Sequence, residues 1–319
     1  MSRPSPEGIP SLEDIQAAAE RIKEAVRRTP LLRTRHLRNP IHPGLKVKLE
    51  CLQVTGAFKA RGASNAILSL PDDALAKGVV TASGGNHGEA LAYAAWAKGC
   101  AATIYLPESA PPHKAERVRA WNGEAIVIGK GWDEANHAAL ERAERDDLAY
   151  VHAFGDSAVI AGQGTVALEI LKQDSACSTM IVPIGGGGLM AGMALAAKAL
   201  KPDIRLIGVE PTGAPTLKES LAADQVITLP EIASQAGTLS PRRSEEINFE
   251  VIRRHVDDIV LVSDAEMREA AQWLWFEMGI ASELSGAAAL AAVMTGRATC
   301  PDDQAMAAII SGAGSDGLG

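Results

Sequence analysis

Short apolar runs alternate with longer helical patterns along almost the whole chain, and this alternation limits the folds open to it more than any other feature. Helical periodicity covers residues 12–28, 58–70, 88–98, 113–121, 133–145 and 159–171. Strand-like apolar runs lie at 45–50, 79–82, 101–106, 125–128, 180–182 and 206–209. Strand, helix, strand is the pattern of right-handed βαβ units, which build open, mostly parallel, twisted sheets with helices on both faces. The expected class is α/β. In such sheets ligands bind beyond the carboxyl ends of the strands, so the turns after the apolar runs are where chemistry is expected.

Two of those turns are rich in glycine: Ser83-Gly84-Gly85-Asn86-His87-Gly88 and Pro183-Ile184-Gly185-Gly186-Gly187-Gly188. Each opens an alanine-rich helical stretch, where unpaired backbone N–H groups and the positive end of the helix dipole favour an anion. Four successive glycines remove every Cβ, so backbone can approach a phosphate from several sides. A plain flexible loop is the competing reading of such glycines. A third segment, Thr55-Gly56-Ala57-Phe58-Lys59-Ala60-Arg61-Gly62, sets one lysine among small residues at an expected helix start. A helix start disfavours a second cation, so Lys59 releases its proton more readily than a solvated lysine and is the candidate reactive amine.

The 319 residues, 47% hydrophobic and only 4% aromatic, suffice for two lobes and leave little room for a third domain. With 31 basic against 39 acidic residues, formally −8, the chain is a poor match for a nucleic-acid or anionic-membrane surface. The polar start MSRPSPEGIP does not read as a secretion signal, and no apolar run reaches the roughly 20 residues of a membrane span. Cytoplasm is the expected location. Cys51, Cys100, Cys177 and Cys300 are widely spaced, suggesting neither a zinc site nor a disulfide framework, and they read as buried thiols.

Taken together, these segments resemble the fold type II family of pyridoxal 5′-phosphate enzymes, in the branch of threonine and serine dehydratases and serine racemases. The resemblance runs from about residue 15 to 314 through six pieces in the family's order. They are the Lys59 octet, 83–88, Val159-Ile160-Ala161-Gly162-Gln163-Gly164-Thr165, the tetraglycine, Glu283-Leu284-Ser285-Gly286-Ala287 and Ser311-Gly312-Ala313-Gly314. It implies a two-lobed fold like that of the tryptophan synthase beta chain. A large cofactor-binding domain (1–71 and 152–319) would carry a small inserted domain (72–151), and a homodimer is expected.

By the same resemblance, Lys59 forms the Schiff base with pyridoxal phosphate and then acts as the base on the substrate Cα. Phe58 packs near the ring, and Gly185, Gly186, Gly187 and Gly188 hold the phosphate. Asn86 contacts the 3′-oxygen, Ser311 faces the pyridine nitrogen, and Ser83, Gly84, Gly85, Asn86 and His87 receive the substrate carboxylate. A hydroxyl cannot stabilise a pyridinium as a carboxylate would, which suits elimination better than transamination. The implied reaction turns a 3-hydroxy amino acid such as L-threonine or L-serine into a 2-oxo acid and ammonia.

Several positions depart from the family. Gly84 stands where racemases have a serine, so racemisation is expected to be minor. Glu210 and the Ala214 carbonyl occupy places of a cation site, yet Thr216 replaces an acidic ligand, and metal dependence stays open. Ala57, Ala153 and Leu284 replace a frequent serine and two frequent prolines. With Gly84, the first two could enlarge the site, so phenylserine and threo-3-hydroxyaspartate remain alternative substrates. The run 234–248 is unusual, and its Arg242 and Arg243 read as a solvated loop. A rival from another class is a nicotinamide dehydrogenase, since Gly186 to Ala191 fits G-x-G-x-x-A and Glu210 follows about twenty residues on. That reading leaves Lys59, the Ser83 run and Ser311 unexplained.

Overall fold

A computed structural model describes residues 8–34 and 37–318. Among them are ten strands: β1 (Leu31–Arg33), β2 (Leu45–Leu49), β3 (Val79–Ala82), β4 (Ala102–Leu106), β5 (Glu124–Val127), β6 (Ala149–Tyr150), β7 (Cys177–Pro183), β8 (Arg205–Pro211), β9 (Asp258–Val262) and β10 (Ala305–Ile310). They form two sheets. One has the order β1-β2-β10-β7-β8-β9, and the other β5-β4-β3-β6. Every pairing is parallel except that of β1 with β2. The expected α/β class is thus the observed one, and the four-stranded sheet comes wholly from residues between Val79 and Tyr150.

The strands of the sheet interiors are apolar from end to end because helices cover both faces. All four residues of β3 and all five of β4 are buried. On one side of the larger sheet lie the helices Leu12–Ile22, Ser157–Gln173, Gly188–Leu200 and Glu246–His255, and on the other Asp264–Met278 and Ala288–Met294. Three helices cross almost backbone to backbone. A Cβ on Gly162 would fall 2.6 Å from the Arg61 carbonyl, and one on Gly192 would fall 2.2 Å from the Ile160 carbonyl. These crossings seat the helices Lys59–Ser69 and Gly188–Leu200 against the same central helix, Ser157–Gln173. Lys59 and the tetraglycine therefore share one rigid support.

A buried ion network pins the helix Lys59–Ser69 further. The Arg61 guanidinium is paired with Glu50 (2.8 Å) and Glu169 (2.8 Å), and Glu169 also takes Lys48 at 2.6 Å.

Element ends moved where tertiary partners intervened. The helix expected over 12–28 stops at Ile22, because the Arg27 N–H and carbonyl are bonded to the Gln53 side chain at 2.7 Å each. The helix expected from 88 starts at Asn86, which brings Asn86 and His87 into its first turn. Cys51 and Cys177 are buried as expected, but Cys100 and Cys300 are only partly so. Arg242 and Arg243 lie exposed. Among the described residues no helix is long and apolar enough to cross a membrane.

Candidate active site

Strand order assembles the site. In the larger sheet β10 lies between β2 and β7, so the segments leaving their carboxyl ends are side by side: the approach to Lys59 after β2, Ser311 after β10 and the tetraglycine after β7. The Phe58 N–H donates to the Ser311 carbonyl at 3.2 Å, and Ala57 forms an isolated bridge with Gly312. Ser311 itself is buried.

Lys59 is the first residue of its helix, and its Nζ donates to the Ala153 carbonyl at 2.7 Å and lies 5.2 Å from the Phe58 ring centroid. Desolvation of the amine of this half-buried residue lowers its pKa to about 8. Two imidazoles share this environment. Burial first and the Lys59 charge second push His87 down to about 3 and His152 down to about 4, so both are neutral at neutral pH. His87 Nε2 lies 3.3 Å from the Val151 carbonyl while its buried Nδ1 has no partner. His152 Nδ1 accepts the Gly155 N–H at 2.7 Å, and its Nε2 lies 3.6 Å from Glu245.

The tetraglycine is held by what packs on it. A Cβ on Gly186 would fall 2.3 Å from the Phe154 ring, and Gly187 has φ +95°. The Gly186 carbonyl accepts from Ser244 Oγ (2.9 Å) and Asn248 Nδ2 (2.8 Å). Among the described residues, the N–H groups of Gly185, Gly186 and Gly187 donate to no protein acceptor. Unpaired donors at the start of the helix Gly188–Leu200 fit a phosphate.

At the other wall, Asn86 donates to Glu283 Oε1 at 2.9 Å and accepts Lys114 Nζ at 2.9 Å; Thr238 Oγ1 reaches the same Glu283 oxygen at 3.1 Å. Burial raises the Glu283 pKa. Ser83 Oγ accepts the Gly85 N–H at 3.2 Å. A Cβ on Gly84 would meet Ala110 and Pro107 at 3.1 Å, a tight contact that those neighbours would have to relieve by a few tenths of an ångström. Ala57 is likewise fully buried. Sequence reading gave no role to Lys114, Phe154, Thr238, Ser244, Asn248 or Glu283. Glu283 opens one of the six motifs, but no spacing marks the others, which lie on separate loops and helices.

Glu210, in β8, is fully buried, and its two oxygens accept the N–H groups of Leu217 (2.8 Å) and Lys218 (2.9 Å). Burial pushes its pKa up to about 8, opposed by those two bonds and by the Lys218 charge. A carboxylate so engaged is not presented to a ribose, and the dinucleotide reading of Gly186 to Ala191 loses its acidic partner.

Comparison with known proteins bears on the family and the fold. Residues 22–312 match the family model described as pyridoxal-phosphate dependent enzyme. The chain is similar to an L-threonine ammonia-lyase of Geobacter sulfurreducens, with 39% identity over 89% of this chain and 71% of that protein. It is equally similar to a serine racemase of Arabidopsis thaliana, with 39% identity over 95% of this chain and 92% of the other. Its fold is similar to that of the processed form of threonine deaminase isoform 2 from Solanum lycopersicum, with a TM-score of 0.89 and 34% identity, covering 95% of this chain and 83% of that one. The match along nearly the whole chain and the assembled lysine, asparagine and tetraglycine lead to one conclusion: the chain belongs to the pyridoxal-phosphate dependent enzyme family.

Proposed function

We propose that this protein is a pyridoxal-phosphate-dependent dehydratase that converts L-threonine or L-serine to the corresponding 2-oxo acid and ammonia. One observation carries the reading: the half-buried Lys59, its amine lowered to about 8, stands at the site while position 84 has no hydroxyl and its Cβ direction is narrowed by Pro107 and Ala110. The site then has an evident base for one face of Cα and no serine for the other.

In this reading the N–H groups of Gly185, Gly186, Gly187 and Gly188 hold the cofactor phosphate. Phe58 packs near its ring, Asn86 donates to its 3′-oxygen and Ser311 faces its pyridine nitrogen. Bound pyridoxal phosphate supplies the electron sink that acidifies the substrate α-proton. Lys59 Nζ removes that proton, a role typically worth about 10²–10⁴-fold in rate. Ser83, Gly84, Gly85, Asn86 and His87 orient the substrate carboxylate at the start of the helix Asn86–Lys98, where helix N–H groups favour an anion. Loss of the β-hydroxyl as water and hydrolysis of the freed enamine complete the reaction. We also assign residues 72–151 to a small lobe and 1–71 with 152–319 to a large one.

Racemisation is the second reading, since relatives named serine racemase are as similar as the ammonia-lyase. The deciding experiment measures initial rates of 2-oxo acid release from L-threonine, L-serine, L-threo-phenylserine and threo-3-hydroxyaspartate, with chiral analysis of recovered serine. Threonine or serine in first place supports the proposal. Preference for a bulkier substrate keeps the elimination and changes the substrate, and D-serine formed as fast as keto acid overturns the dehydratase assignment.

A further inference from the structure

The residues at the place where the family resemblance implies a cation do not make a cation site. A hard divalent ion takes about six to eight oxygen ligands, waters among them, and is held through one or more carboxylates whose oxygens are free to face it. Here there is one carboxylate, Glu210, and each of its oxygens already accepts a backbone N–H from the start of the helix Thr216–Ala222. Thr216 brings a hydroxyl instead of a second carboxylate, and that hydroxyl donates its proton to the Pro241 carbonyl at 2.7 Å.

What these bonds hold can be followed to the cofactor loop. Thr216 fixes Pro241. The next residue, Arg242, is tied to Leu229 in both directions, through its carbonyl (2.8 Å) and its Nε (2.9 Å). Two residues further, Ser244 Oγ donates to the Gly186 carbonyl at 2.9 Å, beside the bond from Asn248. The segment 241–244 thus connects the helix Thr216–Ala222 to the tetraglycine.

We propose that this hydrogen-bonded tie, Glu210 to the Leu217 and Lys218 amides and Thr216 to Pro241, takes the place of a divalent cation, so that the protein keeps its fold and its cofactor loop without one. The cofactor part rests on the tetraglycine being the phosphate seat; the cation part does not.

The test uses purified holoenzyme as wild type, Thr216→Asp and Thr216→Val. Unfolding midpoints are recorded in EDTA and in millimolar magnesium, calcium or manganese, bound metal is counted by elemental analysis after EDTA dialysis, and the rate of cofactor loss is followed by its visible absorbance. The wild type is expected to keep its midpoint to within about 1 °C across these conditions and to carry no stoichiometric metal. Thr216→Asp restores a second carboxylate and is expected to gain about 3 °C or more on adding cation, as ligand binding to the native state alone requires. Thr216→Val removes the hydroxyl and is expected to release cofactor about 3–10-fold faster, with no rescue by cation, as loss of one buried hydrogen bond of about 1 kcal/mol implies. A wild type that retains metal through EDTA, or that loses several degrees in it, overturns the proposal even if a variant fails to fold. So does a Thr216→Asp protein that folds and responds to cations no more than the wild type. Unchanged cofactor release in Thr216→Val, with wild type indifferent to EDTA, would overturn only the link to the tetraglycine.

Discussion

Asn86 donates its side-chain amide to the Glu283 carboxylate at 2.9 Å, joining the first turn of the helix Asn86–Lys98 to a loop 197 residues away in sequence. Because Lys114 occupies the Asn86 carbonyl oxygen from the other side, the orientation of the amide is set by both partners. Glu283 is buried, so its loss leaves donors on Asn86 and Thr238 unsatisfied. Glu283→Ala should lower stability by about 1–3 kcal/mol and weaken cofactor binding. Glu283→Gln, which keeps an acceptor, should lose much less of both. Denaturant unfolding and cofactor titration of the two variants check this; equal losses would count against the proposed orienting role.

Lys59→Ala should remove the covalent link to the cofactor together with the base. Turnover is expected to fall by at least about 10³-fold, with the cofactor's lysine-linked absorbance band absent, while the fold persists. Steady-state rates and the visible spectrum test it. Near-normal turnover would move the chemistry to another amine.

The lowered pKa of Lys59 has a defined pH consequence for the cofactor-free protein. The native state disfavours the ammonium, so in the window from about 8 up to the ordinary 10.5 the unfolded chain binds more protons at this residue. Its contribution to stability therefore rises with pH across that window and is a constant penalty below it. The rate of pyridoxal phosphate capture by apoprotein should climb with the neutral amine, with its midpoint near 8. A stopped-flow pH series reads this directly, and a midpoint near 10.5 would mean that the amine is solvated.

Gly186→Ala places a methyl group 2.3 Å from the Phe154 ring. The ring must move, with an expected loss of about 1–3 kcal/mol in stability and weakened cofactor retention. Phe154→Ala in the same chain should recover part of the stability, because the two substitutions share one contact. Thermal unfolding of the single and double variants measures the coupling.

Gly84→Ser tests the proposed preference for elimination over racemisation. The new Cβ must fit against Pro107 and Ala110 at 3.1 Å, so some loss of stability is expected. If the wild type gives D-serine at less than about a tenth of its keto acid rate, as a missing acid on one face predicts, the serine variant should raise that ratio. Chiral chromatography of the products gives both numbers.

Much of this protein could be read from its residues in order. The strand–helix alternation indicated the α/β class, since short unbroken apolar runs and a 3.6-residue period leave separate marks on a sequence. Lys59 and the tetraglycine stood out because helix starts and glycine runs are local features. The longer-range partners did not. Arg27 is bonded to Gln53, so the first helix ended six residues before its expected limit at 28. Lys114, Thr238 and Glu283 meet at Asn86 only because the chain folds their loops to one place, and Phe154 finds Gly186 in the same way. Glu210 gives the sharpest contrast. The family resemblance suggested a cation ligand and its spacing from the glycines a ribose ligand, whereas the fold turns both of its oxygens onto backbone N–H groups. Sequence by itself determined the class and the family resemblance and singled out Lys59 as the candidate amine, because these depend on local pattern and residue type. Only the tertiary structure decided which polar groups are free to act and which are spent on one another, because a hydrogen bond depends on distance in space and leaves no period in the chain.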